Sequence, residues 1–377
     1  MKNSFSKKSL ALHKKRRGTI EIALKTPISQ REDLNLVYTP GVGGVAEAIA
    51  HDPKTAYDYT GKWNSVAIVS DGSAVLGFGN LGPLPALPVM EGKSAIYKRF
   101  ADIDAYPIVL ATQNVEEIIA AVKAIAPTFG AIQLEDISAP RCFEIERRLQ
   151  EELDIPVLHD DQHGTAIAVL AALINALRVV KKNKNVRIVI NGAGAAGISI
   201  TRLLSMYGFR NLTLLDSKGV ISSARRDLTL PKKEILPLLN PVGEILSDAI
   251  RKADVCIGVS APGVLTEDMV RSMNGNAIVF AMANPIPEID PRLALRAGAR
   301  IVATGRSDFP NQINNSLTYP GVFRGLLDHR IKKISPAMKI KVAETLASLV
   351  KRPTATNILP TMFDKRIVPT IARTLKP

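Results

Sequence analysis

The stretch VRIVINGAGAAGISITRLLSMYGFRNLTLLD, residues 186–216, decides the fold. Val186 to Ile190 is an unbroken apolar run of strand length, Ile198 to Tyr207 carries helical spacing, and Leu212 to Leu215 is a second short apolar run that ends on Asp216. Between the first strand and the helix, Gly192, Gly194 and Gly197 stand in the pattern G-x-G-x-x-G, filled by Ala193, Ala195 and Ala196. Small residues there permit a tight turn and let a pyrophosphate approach the backbone, while the first N–H groups of the helix are free to receive it. Asp216 lies 19 residues beyond Gly197, at the next strand end, where a carboxylate takes the hydroxyls of an adenosine ribose. The order strand, glycine turn, helix, acid predicts a Rossmann sheet that binds a dinucleotide through Gly192, Gly194, Ala195, Ala196, Gly197 and Asp216. Asp216 favours NAD by charge; Lys218, Arg225 and Arg226 follow closely and could accommodate NADP.

Downstream, Asp254 to Ser260, Ala277 to Met282 and Ala299 to Thr304 continue the strands. Their closing loops, among them Ala283-Asn284-Pro285, face the nicotinamide side of such a sheet. Upstream, Val66 to Ser70, Pro107 to Leu110, Ala131 to Leu134 and Ile155 to Leu158 alternate with helical stretches at Val115 to Ile125 and Arg141 to Leu153, a second βαβ series with its own parallel sheet. The reading is a two-domain α/β chain: residues 1–162, then 163–377 with the Rossmann sheet and a helical tail. A long Ala-rich helix from His163 to about Val180 bridges the two. Residues 8–24 read as a basic helix and Ile28 to Leu36 as a polar connector.

Two acidic clusters, Glu135-Asp136 and Asp160-Asp161, follow upstream strands and so sit where open α/β sheets place ligands. Glu135, Asp136 and one of Asp160 or Asp161 would suit Mg²⁺ or Mn²⁺, which prefer oxygen ligands and keep positions open for water or substrate. Solvated loop carboxylates would read the same way from spacing alone. His159 and His163, beside hard carboxylates, are read as hydrogen-bonding groups. Lys93 follows the glycine-rich loop Asp71 to Pro83; a lysine away from water and beside a metal gives up its proton readily and can act as a base. Tyr38, in Val37-Tyr38-Thr39-Pro40-Gly41, lies at a loop–helix junction as either a half-buried aromatic or an acid.

Composition limits the alternatives. The chain has 377 residues, 46% of them hydrophobic, enough for two cores in a soluble globular protein. Apolar runs are broken by charge or proline short of a membrane span, so no transmembrane helix is expected. Residues 1–20 hold seven Lys or Arg without an acid, yet no apolar secretory segment follows. Two distant cysteines, Cys142 and Cys256, match no metal or redox spacing, in keeping with a reducing cytoplasm. Residues 1–162 carry 18 Lys+Arg against 21 Asp+Glu, and residues 163–377 carry 31 against 14. Aromatics are only 5% and no zinc-finger, RNP or basic-zipper pattern appears, so the basic half points away from nucleic acid. It would instead concentrate an anionic substrate and cofactor.

A dinucleotide site, a carboxylate cluster, a lysine base and a tyrosine acid form the set needed to oxidise a metal-chelated 2-hydroxy acid and decarboxylate the product. The segments VYTPGV, SDGSAVLGFGNLGP, PVMEGK, LEDISAPRCFEIE, HDDQHGTA, NGAGAAG, MANPIPE and SDFPNQINNSLTYPGVFRG, in this order, resemble the malic enzymes of the small prokaryotic type over nearly the whole chain. The resemblance implies Glu135, Asp136 and Asp161 as metal ligands, Lys93 as general base and Tyr38 as general acid. It implies Asp160 as support for the lysine, Asn284 and Asn315 as substrate-binding amides, and a homodimer. It implies oxidation of (S)-malate to pyruvate and CO₂ with NAD(P). A relative that keeps its cofactor and releases lactate, or another metal-dependent 2-hydroxy-acid dehydrogenase, is the enzymatic alternative; a cofactor-sensing binding protein is the other. Ala74 stands where larger malic enzymes have a carboxylate-clasping arginine, which leaves main-chain N–H groups and Asn315 as candidates for that task. The chain also ends without the acetyltransferase-like extension of some relatives.

Overall fold

The computed structural model describes residues 2–376. Four helices precede the first strand: α1 (Lys2–Arg16), α2 (Arg31–Val37), α3 (Val42–His51) and α4 (Ala56–Tyr59). The helix expected over 8–24 stops at Arg16, because Arg17 and Gly18 turn to φ of 58° and 116°. The connector expected over 28–36 is helical from Arg31, where Asp33 caps the turn by accepting the N–H groups of Ser29 and Gln30. None of α2, α3 and α4 buries a residue.

The first sheet comprises β1 (Ser65–Ser70), β2 (Asp104–Val109), β3 (Ala131–Leu134) and β4 (Val157–His159), all parallel, in the order β2-β1-β3-β4. Its crossovers are α5 (Pro83–Ala101), α6 (Val115–Ile125) and α7 (Arg141–Glu152). The sequence reading missed α5, since Pro83, Pro85 and Pro88 look like turn residues. Pro83 and Pro85, in the first turn, only give up N–H groups that have no helical partner; Pro88 lies inside the helix, where Met90, Ser94, Tyr97 and Ala101 supply a buried stripe at helical spacing that outweighs its lost hydrogen bond.

From this sheet the chain enters α8 (Asp160–Val180), so the boundary drawn at 162/163 falls within the first turn of a helix. By length and composition alone α8 could cross a bilayer, contrary to the expectation from its interrupted apolar runs. Here it is a mostly buried core helix, in contact with β4 of the first sheet and with helices of the second half. The second sheet follows with β5 (Ile188–Asn191), α9 (Ala195–Tyr207), β6 (Leu212–Asp216), β7 (Gly219–Val220), α10 (Leu230–Glu234), α11 (Leu246–Ile250), β8 (Val255–Gly258), α12 (Glu267–Arg271), β9 (Ile278–Ala281), α13 (Pro291–Arg296) and β10 (Ile301–Thr304). Strand order is β10-β9-β8-β5-β6-β7, parallel except for β7. It is the doubly wound α/β arrangement expected: alternate residues of β5 enter different cores, Ile188 and Ile190 one and Val189 the other. At the turn into α9 a Cβ on Gly197 would strike the carbonyl oxygen of Gly192, so only glycine fits.

Three last helices, α14 (Tyr319–Asp328), α15 (Pro336–Ser348) and α16 (Ile367–Thr374), fold back across the molecule. α14 packs on α5 and β3 of the first sheet and α15 lies on α8. One continuous core therefore contains Val66 and Ile68 of β1 together with Ile188 and Ile190 of β5, joined through α8 and α14. Leu170 is fully buried at the centre of this seam. Leu170→Ala should cost about 2–5 kcal/mol, and denaturant unfolding followed by separate probes in the two sheets should show one shared, shifted transition; two separated transitions would refute a common core.

Candidate active site

In the β3–β4 ladder Leu134 stands opposite His159, so Glu135-Asp136 and Asp160-Asp161 leave the sheet side by side. Lys93 of α5 rises between them. Its Nζ lies 2.8 Å from Glu135 Oε1 and 2.6 Å from Asp160 Oδ2, and the ring of Tyr319 covers it with the centroid 4.9 Å away. The other oxygen of Glu135 accepts from Gln133 Nε2 at 2.6 Å, and Gln133 Oε1 accepts from the hydroxyl of Tyr97. Every member of this chain is buried or nearly so.

Carboxylate oxygens of Glu135, Asp136 and Asp161 all lie within 4.8 Å of one another. Asp136 adopts φ 52°, a conformation costly for a non-glycine residue. It is held there by two main-chain bonds, its N–H to Asp161 Oδ2 at 3.0 Å and its carbonyl to the N–H of Ala74 at 2.9 Å. Asp136 Oδ2 is buried with no hydrogen-bond partner. Burial, reinforced by Asp161 and opposed by Lys93, pushes the Asp136 carboxyl up to about 7. Burial also raises Glu135 and Asp160, against the pull of Lys93. Burial draws the lysine down, but Asp160 and Glu135 outweigh it and hold its ammonium well above the ordinary value. Crowded acids that burial makes reluctant to ionise, one with an orphaned oxygen, are a donor set that a hard divalent cation fits: all oxygen, three ligands, room for more. Asp160 is not in that set; its tie is to Lys93.

The two asparagines frame the cluster. A Cβ on Gly164, in the first turns of α8, would collide with Asp160 Oδ1 and crowd Asn315 Cβ, so glycine lets Asn315 lie beside the acids. Asn284, in the loop after β9, lays its amide against Gly305, and its carbonyl touches Gly77 of the glycine-rich loop across the cleft. Asp71 organises that loop by accepting the N–H and hydroxyl of Ser73 at 2.9 and 2.6 Å and pairing with Arg141 at 3.1 Å. The N–H groups of Gly72, Ser73, Ala74 and Val75 are all spent inside the protein. The main chain around Ala74 is thus no substitute for the arginine, and Asn315 is left as the candidate.

Tyr38 lies at a helix junction, as expected, but is not in contact with the Lys93 cluster within this chain. It ends α2 with 66% of its surface exposed, and the tyrosine against Lys93 is Tyr319. Asp216 is where expected, after β6, but already engaged. It accepts from Arg225 at 2.7 and 3.1 Å and from Lys232 at 2.6 Å. Burial opposes ionisation, yet Arg225 and Lys232 prevail and hold Asp216 down to about 2.

Sequence reading also missed Glu146. It accepts the N–H of His159 at 2.8 Å and bonds His163 Nε2 at 2.9 Å, while Lys339 bonds His163 Nδ1 at 2.9 Å. The polar Gln133 inside the apolar run Ala131 to Leu134 was a visible signal of a buried network; Glu146, in a charged helix, gave none.

Two family models match the chain: the malic enzyme N-terminal domain over residues 17–150 and the malic enzyme NAD-binding domain over 162–373. The chain belongs to the malic enzyme family. It is 54% identical to the NAD-dependent malic enzyme of Geobacillus stearothermophilus, covering 93% of this chain and 74% of that one. To the bifunctional malic/malolactic enzyme of Bacillus subtilis (strain 168) it is 50% identical over 98% of this chain and 92% of the other. The crystal structure of an NAD-dependent malic enzyme from Thermotoga maritima superposes with a TM-score of 0.94 at 46% identity, covering 98% of each chain. Malic enzyme chemistry is the NAD(P)-dependent oxidative decarboxylation of malate.

Glu146 makes a pH prediction for this malic enzyme. Burial raises its carboxyl, but His163 and Lys339 bring it down to about 2, below the ordinary 4.5. A depressed native value adds stability that is present above the unfolded value and lost as pH falls from about 4.5 towards 2. Glu146→Gln should therefore lower stability at pH 7 and flatten the acid limb of thermal unfolding against pH; an unchanged acid limb would show that Glu146 is not held as described.

Proposed function

We propose that Glu135, Asp136 and Asp161 hold Mg²⁺ or Mn²⁺ and that (S)-malate is converted to pyruvate and CO₂ beside it. What carries this reading is the convergence of three carboxylates within 4.8 Å, one of them 2.8 Å from the buried ammonium of Lys93. Bound there, the cation would fix the hydroxyl and carboxylate oxygens of the substrate and neutralise the charges that now keep Lys93 protonated. Lys93, once neutral, would take the proton of the substrate 2-hydroxyl, and a nicotinamide bound at the Gly192–Gly197 turn would supply the hydride acceptor that the oxidation needs. Asp160 holds the lysine in place throughout. The 2-oxo acid then loses its distal carboxylate as CO₂, and a proton must be returned to the carbon left behind. Asn284 and Asn315 orient the substrate from the two sides of the cleft.

Tyr38 is the proton donor in this reading, and a second copy of the chain brings it to the site. Support comes from the first sixty residues. Ile22, Leu24, Leu36, Tyr38 and Tyr59 are exposed, Ile22 by 89% and Leu36 by 74%, and no residue of α2, α3 or α4 is buried. An apolar surface of this kind calls for a partner, and a homodimer would cover it while delivering the hydroxyl.

Either cofactor fits the geometry around Asp216. Its carboxylate favours the ribose hydroxyls of NAD, but Arg225 and Lys232 neutralise it and offer charge to the 2′-phosphate of NADP. The Bacillus subtilis relative favours a second outcome, lactate in place of pyruvate, with the cofactor re-oxidised before release.

The deciding assay follows absorbance of the reduced cofactor with malate, with NAD or NADP and with Mn²⁺ or EDTA, and measures pyruvate and lactate at the end. Reduction that needs the metal and matches pyruvate is the expected outcome; lactate without net reduction would select the second reading. Lys93→Ala and Tyr38→Phe should each lose turnover by roughly a hundredfold or more while binding cofactor normally. Refolding or co-expressing the two inactive chains together should restore activity at up to about one quarter of the sites of a random mixture, since one site in a mixed dimer has both groups. No restoration would place Tyr38 in its own chain or outside the mechanism.

A further inference from the structure

A cavity that this chemistry leaves unused flanks the N-terminal turns of α8, between α7 on one side and α9, α10 and α15 on the other. It has a volume of about 650 Å³, within the range that holds a drug-sized molecule, and none of Gly192 to Gly197 or Asp216 lines it. Lys339 and Arg202 form its cationic wall and are shared with an adjoining cavity of about 170 Å³. Burial lowers Lys339 below the ordinary lysine value; Glu146 resists this and Arg202 adds to it, so two like charges confront each other. The hydrogen-bond partner of Lys339 is the His163 imidazole rather than a carboxylate. Arg202 reaches outward to Glu234 at 2.6 Å and keeps further N–H donors. Gln162 lines the same wall with only 2% of its surface exposed. Its Oε1 accepts from Ser199 at 3.3 Å, but its Nε2 has no partner. Arg141 and Arg147 bring the cations of the lining to four, against the carboxylates of Glu144, Glu146 and Glu234, and Phe143, Leu230 and Pro231 add apolar surface; the net positive lining specifies an occupant with acceptor oxygens at one end and an apolar or planar body at the other.

We propose that this cavity is an effector site for a small organic anion, its carboxylate or phosphate head bound by Lys339 and Arg202 and its body against Phe143, Leu230 and Pro231. The coupling route is continuous. Lys339 bonds His163, His163 bonds Glu146, and Glu146 holds the N–H of His159, the residue before Asp160 and Asp161. An anion on Lys339 competes with His163 for the ammonium protons and so loosens or shifts the hold on the end of β4.

The test titrates cofactor-saturated, Mn²⁺-loaded protein calorimetrically with phenyl phosphate and with benzoate, against sodium chloride at equal ionic strength. These probes share an aromatic body and differ in the head, so they separate phosphate from carboxylate. At least one should bind saturably, and Arg202→Met should weaken it roughly ten- to a hundredfold, the loss of one charge-assisted contact. The bound probe should change kcat or the KM for malate in the wild type and leave Arg202→Met, with its ordinary basal kinetics, unaffected. Lys339→Met, checked for folding by its thermal transition, should abolish binding. No saturable heat with either probe, equal affinity in wild type and Arg202→Met, or binding that leaves malate kinetics unmoved would overturn the proposal. Only the kinetic arm rests on the malate reading; the binding arm stands or falls without it.

Discussion

The buried ion pairs of Lys93 with Glu135 and Asp160 are the constraint that the rest of the site depends on. Burying a charge costs several kcal/mol unless a close partner compensates it. One lysine cannot compensate Glu135, Asp136, Asp160 and the partly exposed Asp161 together. The structure therefore contains a local excess of negative charge, visible in the raised carboxyls and in the orphaned Asp136 Oδ2. Such an excess is tolerated where a cation is meant to complete it, and the left-handed backbone of Asp136 shows that the chain accepts further strain to aim that oxygen. The same charge balance explains why Lys93 is buried under Tyr319 instead of lying in solvent, where a lysine normally stays.

Everything that sets those distances passes through α8. Its first turn supplies Asp160 and Asp161, its Gly164 admits Asn315, and its body is the core against which α9 and α15 pack. A residue on the Rossmann side can thus influence the acids of the first sheet with no contact to them. Close packing makes such a helix stiff, so small displacements at its N-terminus are transmitted and not absorbed. Glu146, His163 and Lys339 act at that end, linking α7, α8 and α15 by hydrogen bonds.

The parts of the fold written in local chemistry were legible in the sequence. The strand–glycine–helix–acid order around Gly192 and Asp216 has one common structural solution, and the βαβ rhythm upstream carries over to β1 through β4 with shifts of a few residues. The acidic pairs were legible because the end of a parallel strand fixes the direction in which the next residues leave the sheet. Local chemistry failed at α5, where prolines disguised a helix whose identity rests on the buried stripe Met90, Ser94, Tyr97 and Ala101. It failed again for Glu146 and Lys339, which are 193 residues apart and meet only through His163. Neither their residue types nor their spacing distinguishes them from solvated surface charges. Asp216 was legible in position but not in state, since Lys232 joins it from a helix outside the fingerprint.

Tyr38 shows a different limit. Its sequence context placed it at a helix junction but could not say what, if anything, packs against it. Helices α2 to α4 cannot be an independent unit, because they bury nothing of their own and carry exposed Leu36, Val37 and Tyr38 in one turn. Exposed apolar groups in a row cost free energy roughly in proportion to their area, and folding of one chain does not recover it. The association proposed above would recover it. In the dimer proposed above, Tyr38 on this segment would reach the buried lysine cluster only once two copies have assembled.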